Sequence, residues 1–150
     1  GYMAASERVA DFVRHNSRPF IFCASIPPAN CATALAALKV LKKRHELPKR
    51  LLKLSDFMRN ELTSRGIRIK TSKTPIIPIY TYDPEVTLKV SKSLYERGVY
   101  VNPVLPPATA PNECLQRTSY MASHNEEILS KAADIIKGVL DDYKIDSIGV

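Results

Sequence analysis

Two strand-like stretches separated by a short, proline-bearing loop constrain the fold of this chain more than any other feature. Residues 99–105 are rich in β-branched residues and run into Pro106 and Pro107, and a second strand-like stretch covers residues 114–121. Proline has no N–H to offer a sheet, so the pair marks the end of the first strand. A proline-bearing loop follows before the second stretch begins.

The second stretch contains Arg117. Its guanidinium is planar and permanently charged, and it suits bidentate capture of a carboxylate or a phosphate. The alternative is an arginine on an edge strand that pairs with a surface carboxylate. Residue type alone leaves both interpretations open.

The rest of the chain predicts helices around one further strand. Residues 76–82 read as a strand whose proline favours a sheet edge. Apolar residues at helical spacing predict helices over residues 6–15, 27–44 (with Leu47-Pro48 before the next helix), 51–66, 83–98 and from 125 onward. The predicted buried stripes are Leu51, Leu54, Met58 and Leu62; Val86, Val90 and Leu94; and Ile128, Ala132, Ile135 and Val139. The fold class is therefore α+β, with a small, mostly antiparallel sheet and helices packed on one face.

The first 25 residues fit this arrangement poorly. Residues 18–25 form a short apolar run that predicts a buried strand, and residues 1–6 predict the end of another. Neither has an obvious strand neighbour later in the chain, so we expect their sheet partners to precede residue 1. The chain starts with glycine and without a signal peptide pattern, and we expect an internal fragment.

Composition narrows the cellular setting and the kinds of site. No apolar run approaches the roughly 18 residues of a membrane span. The three cysteines are widely spaced, which favours a reducing compartment and a cytoplasmic location. The three histidines are scattered and no Cys-x-x-Cys spacing exists, so we expect no metal site.

The net charge of +7 is concentrated in one segment. Such a cluster could bind nucleic acid or an anionic cofactor tail. It contains no aromatic residues for base stacking, which favours a solvated helical face and no nucleic-acid partner. Its members are Lys39, Lys42, Lys43, Arg44, Lys49, Arg50 and Lys53.

Three blocks of the sequence resemble the α-oxoamine synthases, which are pyridoxal-phosphate (PLP) enzymes with the aspartate-aminotransferase fold. Residues 1–6, Gly-Tyr-Met-Ala-Ala-Ser, resemble the family's Gly-Gly-Tyr/Phe-x-Ala-Ala/Gly-Ser strand. Residues 17–28, Ser-Arg-Pro-Phe-Ile-Phe-Cys-Ala-Ser-Ile-Pro-Pro, resemble its Arg-Pro-x-x-Phe-Ser/Thr-x-Ser-x-x-Pro block. Residues 106–124 resemble its Pro-Pro-Thr…Arg-x-Ser/Thr…His block. The family includes 8-amino-7-oxononanoate synthase, 2-amino-3-ketobutyrate CoA ligase, 5-aminolevulinate synthase and serine palmitoyltransferase.

The resemblance implies the C-terminal small domain of a fold-type I PLP enzyme. Residues 1–25 would be a remnant of the large PLP-binding domain, 26–45 an interdomain helix, 46–143 the small domain and 144–150 a loose tail. The family's Schiff-base lysine lies in a Ser-x-Ser-Lys motif that would precede Gly1, so this chain alone would be inactive. The parent would be a homodimeric acyltransferase that condenses an amino acid with acyl-CoA and has its active sites at the subunit interface.

The resemblance also implies roles for individual residues. Arg117 aligns with the arginine that binds the substrate's α-carboxylate. Cys23 aligns with a Ser/Thr that contacts the cofactor phosphate of the neighbouring subunit. Because a thiol is a weaker hydrogen-bond donor than a hydroxyl, Ser25 or backbone N–H groups could make this contact instead. The alternative for Cys23 is a small buried residue with no role in binding. Ala108 stands where the family often has threonine, near the substrate.

Further candidates for the pocket are Ser119 and His124, with Tyr82 and Asn102 held more weakly. For His124, the alternative is a structural role at the start of the last helix. Two other functions remain open: a non-catalytic basic α+β binding module, supported by the charge cluster, and an inactive regulatory homologue of the same fold. Salt-dependent retention on nucleic acid would distinguish the first of these.

Overall fold

A computed structural model of the protein describes residues 3–145. The chain divides into two compact units, Gly1–Lys43 and Arg44–Val150, and each is described here by itself. The finer domain boundaries implied by the resemblance stay predictions.

The described part of the first unit, residues 3–43, contains three helices, none of which has a buried residue. They are α1 (Glu7–Asn16), α2 (Arg18–Ile21) and α3 (Pro28–Lys43). The prediction of a buried strand over residues 18–25 was wrong, because this run begins as α2 and Phe22 is 82% exposed. Residues 3–6 are not a strand either, and Gly1 and Tyr2 lie outside the described residues.

The failed strand has a simple physical explanation. A short apolar run does not reveal by periodicity whether it forms a helix or a strand. A strand needs a neighbour for its backbone groups, and the described part of this unit has none. The run satisfies these groups internally instead: the Ile21 N–H donates to the Ser17 carbonyl (2.9 Å) and the Phe22 N–H to the Arg18 carbonyl (3.0 Å).

The second unit confirms the predicted α+β fold. Within its described residues, up to 145, the sheet has three antiparallel strands in the order β1-β3-β2, so the strand that carries Arg117 lies in the centre. The elements are α4 (Glu46–Ser64), β1 (Ile76–Tyr82), α5 (Pro84–Glu96), β2 (Asn102–Val104), β3 (Cys114–Ser119) and α6 (Glu126–Asp142). Strands β2 and β3 are shorter than predicted, and α4 begins at Glu46, so that Leu47-Pro48 lies in its first turn rather than before it.

Prolines in the two edge strands place their missing N–H groups on the outer sides of the sheet. The Pro78 carbonyl in β1 accepts from the Lys70 N–H (2.9 Å), so the peptide groups of Pro78 point away from β3. Its partner Arg117 therefore directs its own N–H and C=O toward Asn102 on β2. Because these groups alternate along a strand, the adjacent Pro103 faces outward. Proline therefore costs neither strand a ladder hydrogen bond with β3. The outer side of β1 pairs with the preceding segment through the bridge between Ile69 and Ile79.

The ends of the helices follow the expected capping rules. Asp83 and Asn125 each accept a hydrogen bond from the backbone N–H three residues later (2.8 Å), which fixes the starts of α5 and α6. Gly66 and Gly98 follow α4 and α5 with φ of 75° and 86°. At both sites, the N–H of the glycine and that of the next residue bond to carbonyls of the last turn, as in a Schellman motif.

The core lies between the helices and one face of the sheet. The predicted stripes of α4 and α5 contribute as expected, except that Leu51 and Val86 are only partly buried. For α6 the prediction was right for Val139, which is buried, but wrong by one position for the rest: Ile128 is 54% exposed, and Ala132 and Ile135 are half-buried. The buried residues of α6 are Leu129, Ala133, Ile136, Val139 and Leu140.

The predicted loose tail is not loose at its beginning. Ile145 is 3% exposed and belongs to the core cluster. Just before the tail, the Tyr143 hydroxyl lies 3.0 Å from the Ser93 hydroxyl on α5. Residues 146–150, which complete the predicted tail, lie outside the described residues.

Candidate functional site

Arg117 lies on the face of the sheet opposite the helices. Its neighbours along β3, Gln116 and Thr118, are buried against the helices, whereas Arg117 is exposed. Within the described residues, no acceptor contacts the guanidinium. The alternative interpretation of Arg117 was an arginine on an edge strand paired with a surface carboxylate. The structure differs on both counts, because β3 is the central strand and the guanidinium has no partner in the described residues.

Most arginines of the second unit behave differently. Arg65 contacts Glu61 and Asp134, and Arg97 contacts Asp142 at 2.6 Å. Arg59 bonds to Asp56 and to a backbone carbonyl. The exposed guanidinium of Arg117 is available for an anion from outside this part of the chain.

The side chains that share this face follow from the strand register. Pro78 on β1 and Asn102 on β2 lie directly opposite Arg117, so all three project to the same side. One step along, Ser119 pairs with Ile76 on that face. The predicted candidates Arg117, Asn102 and Ser119 therefore come together on one surface.

Two tyrosines lie at the other end of β1. The rings of Tyr80 and Tyr82 stack with centroids 5.5 Å apart and planes at 10°. Tyr82 has φ of 62°, which is rare for an aromatic residue, and the strand register shifts between the two tyrosines. Tyr82 pairs with Cys114, the first residue of β3. This places the candidate Tyr82 beside the point where the proline-bearing loop ends.

The loop over residues 105–113 carries Ala108 on its exposed side. The Ala108 N–H donates to the Leu105 carbonyl (2.9 Å), and the Glu113 N–H donates to that of Ala110 (3.1 Å). Sequence reasoning missed the adjacent Thr109, whose Oγ1 is buried with no partner among the described residues. Its burial depends on the loop conformation, so the sequence carried no signal for it.

Ser119 and His124 line one apolar groove of about 320 Å³ beside α6. The His124 Nδ1 accepts from the Met121 N–H (3.3 Å), which places the proton of the neutral ring on Nε2. Arg50 donates to the His124 carbonyl (3.2 Å). These contacts hold the turn before α6 and favour the structural role for His124, while Arg117 and Ala108 do not border the groove.

Tyr120 lies in the wall of the same groove. Its hydroxyl is 2.7 Å from Thr118 Oγ1, which itself donates to the Ile77 carbonyl (2.7 Å), so Tyr120 is the donor in the pair. Burial raises the pKa of Tyr120 to about 12, against smaller lowering contributions from Thr118 and Arg59. The hydroxyl therefore stays protonated at neutral pH and acts only as a structural donor.

Cys23 and Ser25 belong to the first unit, and both are exposed. The Cys23 thiol donates to the Phe20 carbonyl (3.2 Å), so its proton is already in use. The alternative of a small buried residue does not hold for Cys23 in this structure. Ser25 has no hydrogen-bond partner within the described residues.

Part of the basic cluster is used internally. Arg44 bonds to Glu46 at 2.7 Å, and this hydrogen bond lowers the pKa of the Glu46 carboxyl. Arg50 bonds to the His124 carbonyl.

Across residues 3–145, no group of three or more His, Cys, Asp or Glu side chains is arranged to hold a metal ion. In the same residues, no helix has the length and apolar character that would let it cross a membrane.

Comparison with known proteins places this geometry in a family. Residues 1–136 match the family model described as aminotransferase class I and II. A serine palmitoyltransferase from Bacteriovorax stolpii is 42% identical over 135 residues, which is 90% of this chain and 32% of that protein. A putative 8-amino-7-oxononanoate synthase 2 from Mycobacterium tuberculosis is 34% identical over 142 residues, or 95% of this chain and 18% of that protein.

A solved structure of a serine palmitoyltransferase (SPT) with a PLP internal aldimine superposes with a TM-score of 0.77 at 27% identity, over 95% of this chain and 36% of that one. The chain thus spans about a third or less of the length of these relatives. The resemblance to the α-oxoamine synthases is confirmed by the names of these relatives. The chain belongs to the aminotransferase class I and II family.

Proposed function

We propose that this chain supplies the C-terminal part of a PLP-dependent α-oxoamine synthase, and that Arg117 binds the α-carboxylate of its amino-acid substrate. The parent enzyme would condense an amino acid with an acyl-CoA. The observation that carries the proposal is the free guanidinium of Arg117 at the centre of the uncovered sheet face. The similarity to serine palmitoyltransferases and 8-amino-7-oxononanoate synthases supports the reaction class.

The chemistry requires a rigid carboxylate contact. The planar guanidinium offers two parallel N–H donors, which fix both the position and the rotation of a carboxylate. Arg117 lies on β3, which is hydrogen-bonded to a strand on each side, so its Cα is held more firmly than on an edge strand or a loop. When bound, PLP supplies the electron sink for the substrate's Cα, and Arg117 sets which Cα bond faces it.

The residues of this chain fit one edge of that cofactor, its phosphate. The Ser25 hydroxyl is exposed and has no partner in the described part of the chain, so it can donate to a phosphate oxygen. The thiol of Cys23 is a weaker donor and is occupied by the Phe20 carbonyl. Ser25, rather than Cys23, would reach the phosphate of a neighbouring subunit in a homodimer.

The remaining candidates have supporting roles in this proposal. Ala108 presents a methyl group on the exposed side of its loop, where a threonine would present a hydroxyl, and this would alter the preference for the substrate. Ser119 borders the sheet face next to Arg117. His124 acts through the turn before α6. The Schiff-base lysine would come from the part of the relatives that this chain does not match, so the chain by itself would be inactive.

The test uses protein expressed from the complete reading frame that encodes this chain. L-serine, L-alanine and glycine are each combined with short-chain and long-chain acyl-CoA, and CoA release is followed. We expect Arg117→Gln to raise the KM for the amino acid at least tenfold and to leave the KM for acyl-CoA within twofold. Arg97→Gln, which removes an exposed arginine from its surface pair with Asp142, is the matched control. Equal effects of the two variants would contradict the role of Arg117, and absence of CoA release with every pair would contradict the enzyme.

A further inference from the structure

Asn102 and Arg117 face each other directly across the β2–β3 pair. The outward-pointing carbonyl of Pro78 makes the Asn102–Arg117 position a hydrogen-bonded antiparallel pair, with Cα atoms about 5.5 Å apart. Side chains at such positions project to the same side of the sheet. For this pair, that side is the face without helices, because Val101 and Gln116, one residue away on each strand, are buried in the opposite direction.

Neither side chain has a hydrogen-bond partner within residues 3–145. Two other asparagines have a local structural role: Asn125 caps α6, and Asn16 donates to the Phe12 carbonyl. Asn102 lies in a strand and has no such role. Asparagine is also depleted in strands, so strand formation gives no reason for its presence at this position. Two unpartnered polar groups, opposite each other and on the same open face, indicate a ligand that both can contact.

We propose that Asn102 is a second donor to the carboxylate that Arg117 binds, and that it determines the specificity for a free α-carboxylate. This inference rests on the proposed function. A carboxylate has about four lone-pair sites, and the guanidinium fork uses two of them. The Nδ2 amide of Asn102 approaches from the neighbouring strand and takes a third, while its Oδ1 can accept from the guanidinium. Contacts from two strands fix the tilt of the carboxylate, which a single fork leaves free.

The test replaces the donor while keeping its shape. Asn102→Asp is nearly isosteric but places a negative charge beside the substrate carboxylate. In protein from the complete reading frame, we expect it to raise the KM for the converted amino acid 10- to 100-fold and to leave the KM for acyl-CoA within twofold. Asn102→Ala removes the donor without adding charge, and we expect a rise of about five- to tenfold. Asn60→Asp, an exposed site on α4, controls for the added charge and should change neither constant.

A substrate analogue separates direct contact from a structural effect. The methyl ester of the same amino acid lacks the negative charge and serves as a competitive inhibitor. We expect its inhibition constant to differ by less than twofold between the native chain and Asn102→Asp. A rise equal to that for the free amino acid would show a distorted site and would overturn the inference.

The outcomes distinguish this inference from the proposed function. If Arg117→Gln raises the amino-acid KM and Asn102→Asp and Asn102→Ala do not, Asn102 has no role in binding and the proposed function stands. If Arg117→Gln has no effect either, the proposed function fails and the inference fails with it. Unchanged thermal unfolding of both Asn102 variants is expected, because the side chain makes no hydrogen bond or ion pair within residues 3–145.

Discussion

The Tyr120 hydroxyl donates to Thr118 Oγ1 across 2.7 Å, and Thr118 in turn donates to the Ile77 carbonyl of β1. This chain of two hydrogen bonds links the end of β3 to the edge strand. It requires a protonated phenol, because a phenolate has no proton to donate. Burial, which outweighs the lowering of the Tyr120 pKa by Thr118 and Arg59, makes the second unit sensitive to high pH.

We predict a loss of stability at alkaline pH that depends on Tyr120. The pKa of Tyr120 is raised to about 12 in the folded chain, against about 10 in an unfolded chain. The neutral phenol therefore stabilises the fold fully below pH 10, and this contribution is lost as the pH rises from about 10 to 12. The difference corresponds to roughly 2–3 kcal/mol. Urea unfolding at a series of pH values, compared with Tyr120→Phe, measures it.

The Tyr120→Phe variant should cost about 1 kcal/mol at pH 7, since it removes one hydrogen bond but leaves Thr118 bonded to Ile77. Its unfolding free energy should then fall less steeply between pH 10 and 12 than that of the native chain. Parallel curves for the two proteins would show that another group causes the alkaline loss.

A second prediction concerns the glycines that follow α4 and α5. Gly66 and Gly98 have positive φ, and a Cβ at either position would meet open space. Any cost of Gly66→Ala or Gly98→Ala must therefore come from the backbone, and we expect about 1 kcal/mol in each case. The free energy of urea unfolding is the measurement.

Gly138 provides the matched control for this prediction. It lies inside α6, and a Cβ there would make an ordinary 3.7 Å contact with the Arg97 side chain. Alanine is the better helix former, so Gly138→Ala should leave stability unchanged or raise it by up to about 1 kcal/mol. A loss at all three positions would mean that alanine at these glycines is harmful for some reason other than φ.

The caps of α5 and α6 give a third prediction. Asp83 and Asn125 each accept a backbone hydrogen bond at 2.8 Å, so alanine at either position should cost about 1 kcal/mol in urea unfolding. Ser6 occupies the same position before α1 without a side-chain hydrogen bond. Ser6→Ala should therefore leave the helix content, measured by circular dichroism, unchanged. A loss of helix content in Ser6→Ala, or unchanged unfolding free energies after alanine substitution at Asp83 and Asn125, would contradict a role for the cap bonds.

The sequence predicts elements best where local chemistry decides them. Asp83 before a proline and Gly98 after an apolar stripe define α5 on both sides, and the structure agrees within a residue or two. On α6 the sequence contains two parallel stripes, because Ile128, Ala132 and Ile135 repeat with the same period as their neighbours one residue later. Packing against the sheet and the other helices determines that the second stripe, which starts at Leu129, is buried. The local sequence pattern does not distinguish the two stripes.

In the candidate site, too, local sequence predicts some features, and only the folded sheet determines the others. The sequence could point to Arg117 through its spacing from the two prolines, but it could not show that β3 is the central strand. Strand order depends on which edges are covered and on the outward orientation of Pro78 and Pro103. The alignment of Asn102 with Arg117 follows from that order and register, so it emerges only from the folded sheet.

The last prediction compares two arginines by their effect on folding. Arg117 has no partner in the described residues, so Arg117→Gln should change the free energy of unfolding by less than about 0.5 kcal/mol. Arg65 joins the end of α4 to α6 through Asp134 and Ser130, and it also pairs with Glu61 on α4. The hydrogen bond to Asp134 raises the pKa of its guanidinium. Arg65→Gln should cost about 1 kcal/mol or more, because it also leaves Glu61 without its cation. Urea unfolding of both variants gives the comparison. A substantial loss for Arg117→Gln would indicate a structural arginine and would remove the main support for a carboxylate site.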